Sequence, residues 1–328
     1  MDAVEIESAR AQSWRLAQSQ RGGELSPIED ALAASCAPDV RCHISHPFNE
    51  TRGVEGVLEK YWRPLFNAFS NPERRDDIFV AGRFKNRIWT AATGHFVGVF
   101  ENQWLNIPPS KHLTFIRFGE IIGFDGDQIS DIFFMVDIIG AARQNGLDLV
   151  GKSRGAEIIA PGPGAHDGIR LNASPEKDTA QSMKLVDAMI AGLMRYDRVS
   201  LDSMHQEDFW RRDFLWYGPS GVGASRGLKG FQDYHQRPFL NFVPDRKGGD
   251  HVARFADGPY VASGGWPSIR ATTSGEAWVG VTLPPDLPVT MRVMDFWRRD
   301  GAKFQENWVF IDIPDILRQC GQDLFAEL

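Results

Sequence analysis

The stretch Met135-Val136-Asp137-Ile138-Ile139-Gly140-Ala141-Ala142-Arg143-Gln144-Asn145-Gly146-Leu147-Asp148-Leu149 returns near the C-terminus as Phe310-Ile311-Asp312-Ile313-Pro314-Asp315-Ile316-Leu317-Arg318-Gln319-Cys320-Gly321-Gln322-Asp323-Leu324. Asp, Ile, Arg, Gln, Gly, Asp and Leu keep register over the 175 residues from Asp137 to Asp312. Upstream, Thr51-Arg52-Gly53-Val54-Glu55-Gly56 answers Ser225-Arg226-Gly227-Leu228-Lys229-Gly230, and Arg63-Pro64-Leu65-Phe66-Asn67 answers Arg237-Pro238-Phe239-Leu240-Asn241. Arg117 with Glu120 answers Arg292 with Asp295, and Asp125-Gly126 answers Asp300-Gly301. Ordered matches whose spacing drifts by one residue mark one domain written twice. A period this long excludes solenoids, which repeat every ~20–50 residues. It suits two domains of ordinary size, ~100–200 residues each.

Hydrophobic periodicity supplies the elements. Apolar positions Val4, Ile6, Ala9, Trp14, Leu16 and Ala17 predict an amphipathic helix over 4–20, broken at Arg21-Gly22-Gly23. A second helix over 28–34, a strand over 40–46 and a long helix over 54–69 follow. The period then changes from 3.6 to 2, predicting four strands within 77–136 and a closing helix that ends at Gly146. The second half repeats this order: a helix over 180–195, a strand over 213–217, a helix over 228–242, strands between 251 and 311, and a last helix over 314–320. Pro161-Gly162-Pro163-Gly164 marks a linker. The division expected is 1–155, a linker 156–178, and 179–328. Helices first and consecutive strands afterwards indicate α+β with an antiparallel sheet.

Composition narrows the function classes. Hydrophobic residues are 42% and charged residues 24%, ordinary for a globular chain. Ten Trp and 22 Phe are enough to build two cores and line pockets as well. A net charge of −7 argues against nucleic acid as a partner. No apolar run approaches the ~18 residues of a membrane span, and the acidic N-terminus does not read as a signal peptide. Three Cys in no C-x-x-C spacing indicate neither a disulfide framework nor a zinc site. The expected location is the cytoplasm. His43-x-x-His46 with Glu50 is the one metal-like cluster, and on a strand that spacing sends the imidazoles to opposite faces, so no metal is expected. Nucleotide-binding and serine-nucleophile motifs are missing from the sequence, so no cofactor is expected either.

The Arg-Gly-Val-x-Gly start of the long helix, Trp62-Arg63-Pro64-Leu65, the Glu306-Asn307-Trp308-Val309-Phe310-Ile311-Asp312 segment and the Asp-x-x-x-x-x-Arg-Gln-x-Gly ending resemble the SnoaL-like polyketide cyclases. These belong to the wider nuclear-transport-factor-2-like (NTF2-like), or cone, superfamily. The resemblance covers both halves. It implies two tandem cone domains, each a curved antiparallel sheet wrapped around helices, which pack as an internal pseudo-dimer and leave room for further homo-oligomerisation. By motif position it also hands Asp137 and Asp312 the role of the pocket aspartate that moves a proton beside a carbonyl.

Strand alternation puts Asp131, Phe133, Met135 and Asp137 on one face, and Glu306, Trp308, Phe310 and Asp312 on the matching one. Desolvation there would raise a carboxyl pKa toward the range useful for acid–base work. Each Asp also directly precedes a helix and can serve as its N-cap, a role that ranks ahead of catalysis on the residues alone. Arg117 and Arg292, mid-strand among apolar neighbours, each need a carboxylate or a bound anion, and a structural ion pair ranks first. Glu120 and Asp295 have the opposite parity and should point to the other side of the sheet. His46 aligns with Tyr217, and His95 with Trp266. With Arg117, Arg292 and Trp308 they form the expected substrate-binding set. The reading favoured is a cofactor-free cyclase, isomerase or dehydratase acting on a small apolar or aromatic carbonyl compound. The alternative is a binding or interaction protein without chemistry.

Overall fold

The computed structural model describes residues 2–326. They form two compact units. One takes the chain up to Leu149, Pro161–Ala173 and the end from Phe325; the other takes Val150–Ala160 and Ser174–Leu324. The stretch 156–178 expected as a linker is thus divided between the two, with Pro161–Ala173 in the first.

Unit 1 begins with α1 (Asp2–Ser19), α2 (Ser26–Ser35), β1 (Cys36–Ile44) and β2 (Glu50–Arg52). Helix α3 (Gly53–Val57) then runs through a π-helical turn (Leu58–Trp62) into α4 (Arg63–Ala68). Four long strands follow, β3 (Phe69–Phe84), β4 (Arg87–Phe100), β5 (Leu113–Asp125) and β6 (Gln128–Val136), and α5 (Ile138–Gln144) closes the unit. Gly53 opens α3 at φ 72°, a left-handed conformation that glycine adopts without penalty; Gly227 does the same at 70° in the second unit. That requirement is why Gly recurs at this point of the repeat. The helix expected as continuous is widened at Leu58–Trp62 because Pro64 follows: its ring would clash with the carbonyl four residues back, and it has no N–H to donate.

The sheet runs β2-β1-β6-β5-β4-β3. Its pairings are antiparallel except β1 with β6, which is parallel. The sheet is therefore mixed rather than purely antiparallel. The connection from β1 back to its neighbour β6 is a long crossover through helices and four strands, and a crossover permits parallel pairing.

Unit 2 comprises α6 (Glu176–Leu193), β7 (Trp210–Tyr217), β8 (Ala224–Arg226), α7 (Gly227–Phe231), a π turn (Gln232–Gln236) and α8 (Arg237–Phe242). Then come β9 (Lys247–Gly248), β10 (His251–Asp257), β11 (Tyr260–Ser274), β12 (Ala277–Trp278), β13 (Val281–Thr282), β14 (Pro285–Asp300), β15 (Lys303–Ile311) and α9 (Ile313–Gln319). Its sheet runs β10-β11-β14-β15-β7-β8, the same topology with the same single parallel pairing, β15 with β7. Register repeats as well. Phe118 faces Val136 and Glu120 faces Phe134 in unit 1, as Val293 faces Ile311 and Asp295 faces Val309 in unit 2. The fold is α+β, with two tandem copies of one curved mixed sheet and its helices. Among the described residues no helix is long and apolar enough to cross a membrane.

The two interiors differ. In unit 1 the space between helices and sheet has shrunk to about 20 Å³, lined among others by Leu16 and Gln20 of the N-terminal segment, Tyr61, Trp62, Glu120 and Phe134. That is room for about one water. Beside it Arg74 is wholly buried, 2.8 Å from Asp76, 3.0 Å from Glu120 and 2.8 Å from the Gln20 side chain. Its guanidinium lies 4.4 Å from the Phe118 ring centroid. Removing one member of such a cluster strands the others without water. Arg74→Met should therefore destabilise unit 1 by about 3–5 kcal/mol, and Arg74→Met combined with Glu120→Gln should recover part of the loss. Urea unfolding followed by circular dichroism checks this; equal midpoints for wild type and Arg74→Met would contradict it.

Candidate active site

The same space in unit 2 is open, and the sequence says why. Where unit 1 carries Tyr61 and Trp62 on its π turn and Phe118 and Phe134 on its strands, unit 2 carries His235, Gln236, Val293 and Val309. Each is smaller. The result is a cavity of about 320 Å³ between helices and sheet, inside the roughly 300–1,000 Å³ range of small-molecule sites. Its walls are largely aromatic and aliphatic, with Trp210, Trp216, Phe231 and Trp297 prominent.

Asp295 stands on the sheet side of this cavity, on the inward face of β14 with Met291, Val293 and Trp297. It is the counterpart of Glu120, but no arginine cluster neutralises it. Burial among apolar groups pushes its carboxyl up to about 7, against the Asn307 hydrogen bond and the charge of Arg254, which both act to lower it. Asn307 Nδ2 is 3.5 Å from Asp295 Oδ1 and donates to the Phe296 carbonyl at 3.1 Å. Arg254 is itself engaged, Nη1 lying 3.3 Å from Asp187 Oδ1.

His235 stands on the helix side. Its ring stacks on Trp216 at 4.3 Å between centroids and on Phe239 at 5.4 Å. Burial, aided by the charge of Arg246, lowers its pKa to about 3, so at neutral pH it is an uncharged imidazole. Neither His235 Nδ1 nor Gln236 Oε1 has a hydrogen-bond partner. Polar groups left unsatisfied this way cost stability unless something else gains from them. Among the described residues no group of three or more His, Cys, Asp or Glu side chains is placed to hold a metal.

None of the nine residues expected from sequence lines either interior. Asp137 caps α5, accepting from Gly140 N at 2.9 Å. Asp312 caps α9, accepting from Asp315 N at 3.3 Å, and is 2% exposed. The alternation that points Asp295, Asn307 and Val309 toward the unit 2 interior points Asp312, and by the repeat Asp137, to the opposite face of the sheet. Arg292 is in a structural ion pair, 3.2 Å from Asp312 and 3.7 Å from Asp315, with its guanidinium 4.9 Å from the Trp266 ring centroid. Arg117, buried on β5, receives the Asp137 N–H on its backbone carbonyl as Arg292 receives that of Asp312. His46 is buried at the end of β1, its Nδ1 3.2 Å from Asn49 Nδ2. His95 Nδ1 lies 3.4 Å from Asp77. Tyr217 packs on Trp308, centroids 5.3 Å apart. The structure thus gathers Trp266, Arg292 and Asp312, and Tyr217 with Trp308, on the face away from the cavity. Asp295, His235, Asn307, Arg246 and Arg254 were not singled out from sequence as site residues. The signal for them was the parity of Glu120 and Asp295 and the aromatic-to-smaller changes between repeats.

The comparisons with known proteins concern the fold. No family model matches the chain, and no curated protein matches it. Among solved structures, a candidate SnoaL-like polyketide cyclase from Jannaschia sp. CCS1 is similar at 16% identity and a TM-score of 0.35, over 42% of this chain and 92% of its own. A candidate polyketide cyclase from Streptomyces antibioticus, IdmH, is 15% identical at the same TM-score, over 42% of this chain and 99% of its own. An NTF2-like protein from Burkholderia xenovorans LB400 is 15% identical at a TM-score of 0.33, over 43% and 97%. Each matches a length of chain equal to about one unit.

The raised pKa of Asp295 has a consequence for stability. A carboxyl that holds its proton more tightly folded than unfolded makes the folded chain the richer in protons between 3.8, the ordinary value, and about 7. Stability therefore falls as pH rises through that window, and the loss is complete above it. Asp295→Asn removes the loss. Its melting temperature should stand higher relative to wild type at pH 8 than at pH 4, and a difference independent of pH would contradict the assignment.

Proposed function

We propose that unit 2 is a cofactor-independent acid–base catalyst of the SnoaL-like kind, transferring a proton next to the carbonyl of a small, largely apolar compound. The observation that carries this reading is Asp295: a carboxyl with a pKa of about 7, on the wall of an aromatic cavity of about 320 Å³. A general base or acid works best when its pKa lies near the working pH, because then both protonation states are populated and the transfer is nearly isoenergetic. In its ionised form Asp295 takes a proton from carbon α to the carbonyl, leaving an enolate. In its protonated form it returns that proton to another carbon, completing an isomerisation, or the enolate carbon attacks a second carbonyl, closing a ring, and the alkoxide so formed takes the proton back from Asp295. His235 enters as a neutral group able to hydrogen-bond to the carbonyl side without adding charge.

A second reading, binding or scaffolding without chemistry, is favoured for unit 1. Its counterpart carboxylate Glu120 is held by Arg74, and about 20 Å³ admits no substrate.

Proton abstraction is measurable before the substrate is known, as protein-dependent exchange of α-hydrogens for deuterium across a panel of aromatic and alicyclic ketones, followed by NMR. Asp295→Asn should slow exchange by roughly 10²–10⁴-fold, and Asp312→Asn, which keeps a good capping side chain, should leave it near wild type. Because the base must be ionised, the wild-type rate should rise with pH and level off above about 7. Exchange that persists in Asp295→Asn, or that is lost in Asp312→Asn with the fold intact, would return the role to the helix-capping aspartates.

A further inference from the structure

Several arginines withdrawn from water in this chain are supplied with carboxylates. Arg74 has two, Arg292 has Asp312 and Asp315, and Arg299 has Asp178 at 2.9 Å. Arg246, on the wall of the unit 2 cavity, departs from this. Its Nη2 donates to the Leu193 carbonyl at 2.9 Å, and its other neighbours are the thioether sulfurs of Met194 and Met204, each at 3.7 Å. Its Nε has no partner. Among the described residues no carboxylate pairs with it; the adjacent Asp245 is occupied instead by the backbone N–H of Thr272 at 2.7 Å. Burial lowers the pKa of the guanidinium, the direction of a cation short of compensation. An uncompensated charge in such a place is costly, and a site that keeps one normally meets an anion there.

The surroundings agree in sign. Lys247, His251 and Arg254 line the same cavity, and Asp295 is the one carboxylate among its lining residues. The chain as a whole carries a net charge of −7, so the gathering of Arg246, Lys247 and Arg254 here runs against its average. A cavity walled by tryptophan and carrying Arg246 on its helix side is suited to a molecule with two ends.

We propose that the unit 2 cavity takes a substrate with an apolar ring body and one carboxylate, the carboxylate seating on Arg246 and the body lying among the tryptophans. The inference rests on the reading of unit 2 as a small-molecule site and specifies its substrate class. Seating the charge on Arg246 gives the molecule one orientation, so that a fixed carbon is presented to Asp295.

The test compares 2-naphthoate with its neutral isostere 2-naphthamide, using quenching of tryptophan fluorescence, since Trp210, Trp216 and Trp297 line the cavity, with calorimetry as the second readout. At pH 6 the probe acid is ionised, while Asp295, with a pKa of about 7, is mostly protonated and repels it least. Wild type should bind the acid at least about tenfold more tightly than the amide. Arg246→Gln should bring the two within about twofold, chiefly by weakening binding of the acid. Because Arg246 has no carboxylate partner, Arg246→Gln should also melt no lower than wild type without ligand, which separates loss of recognition from loss of fold. Equal affinity for acid and amide in wild type, or a preference for the acid that survives in Arg246→Gln, overturns the proposal. Failure of both probes to bind at millimolar concentration overturns it too, while the Asp295 reading is judged separately by deuterium exchange.

Discussion

Each unit has to accommodate one carboxylate on the inward face of its β5-type strand, in space from which water is largely excluded. Ionised and unpaired, such a group costs several kcal/mol. Unit 1 meets the constraint with Arg74, which binds Glu120 and Asp76 together and fills the space doing so. Unit 2 meets it by letting the carboxyl of Asp295 hold its proton up to about pH 7. The first answer yields a rigid, filled interior. The second yields an open one whose acid changes its protonation state near neutral pH.

Packing reinforces the electrostatics. The positions that close unit 1 are Tyr61, Trp62, Phe118 and Phe134, and their counterparts His235, Gln236, Val293 and Val309 give up volume on both the helix and the sheet side. The π turn matters here. It displaces the helix just before its proline, and Tyr61 and His235, fourth in their respective turns, are brought to the interior by it. Unusual helical turns often accompany sites in this way. A device present in both units serves packing in one and borders an open cavity in the other.

The repeat, the order of elements and the closing helices were legible in the sequence because matched breakers and matched period-2 strands leave few topologies open. The parallel pairing of β1 with β6 was not, since pairing partners across a long crossover leave no local mark. Which face of each strand points to the interior was not legible either, for a specific reason. Alternation separates Asp312 from Asp295, but it does not say which set faces inward, and here both sets are buried: Trp308 and Phe310 on one face are as inaccessible as Met291 and Trp297 on the other. With apolar neighbours on both sides, the motif resemblance drew the choice to the aspartates that cap helices. His235 was hidden for a different reason, because a helix read as continuous gives its side chain the wrong direction.

The central claim is that Asp295 stays protonated to near neutrality because its surroundings lack a compensating cation in direct contact. Its titration tests this most directly, by isotope-edited infrared or NMR spectroscopy of ¹³C-carboxyl-labelled aspartate, with Asp295→Asn identifying the signal. An apparent pKa close to 7 is the result predicted. A value near 4, like that of an ordinary surface aspartate, would contradict the account.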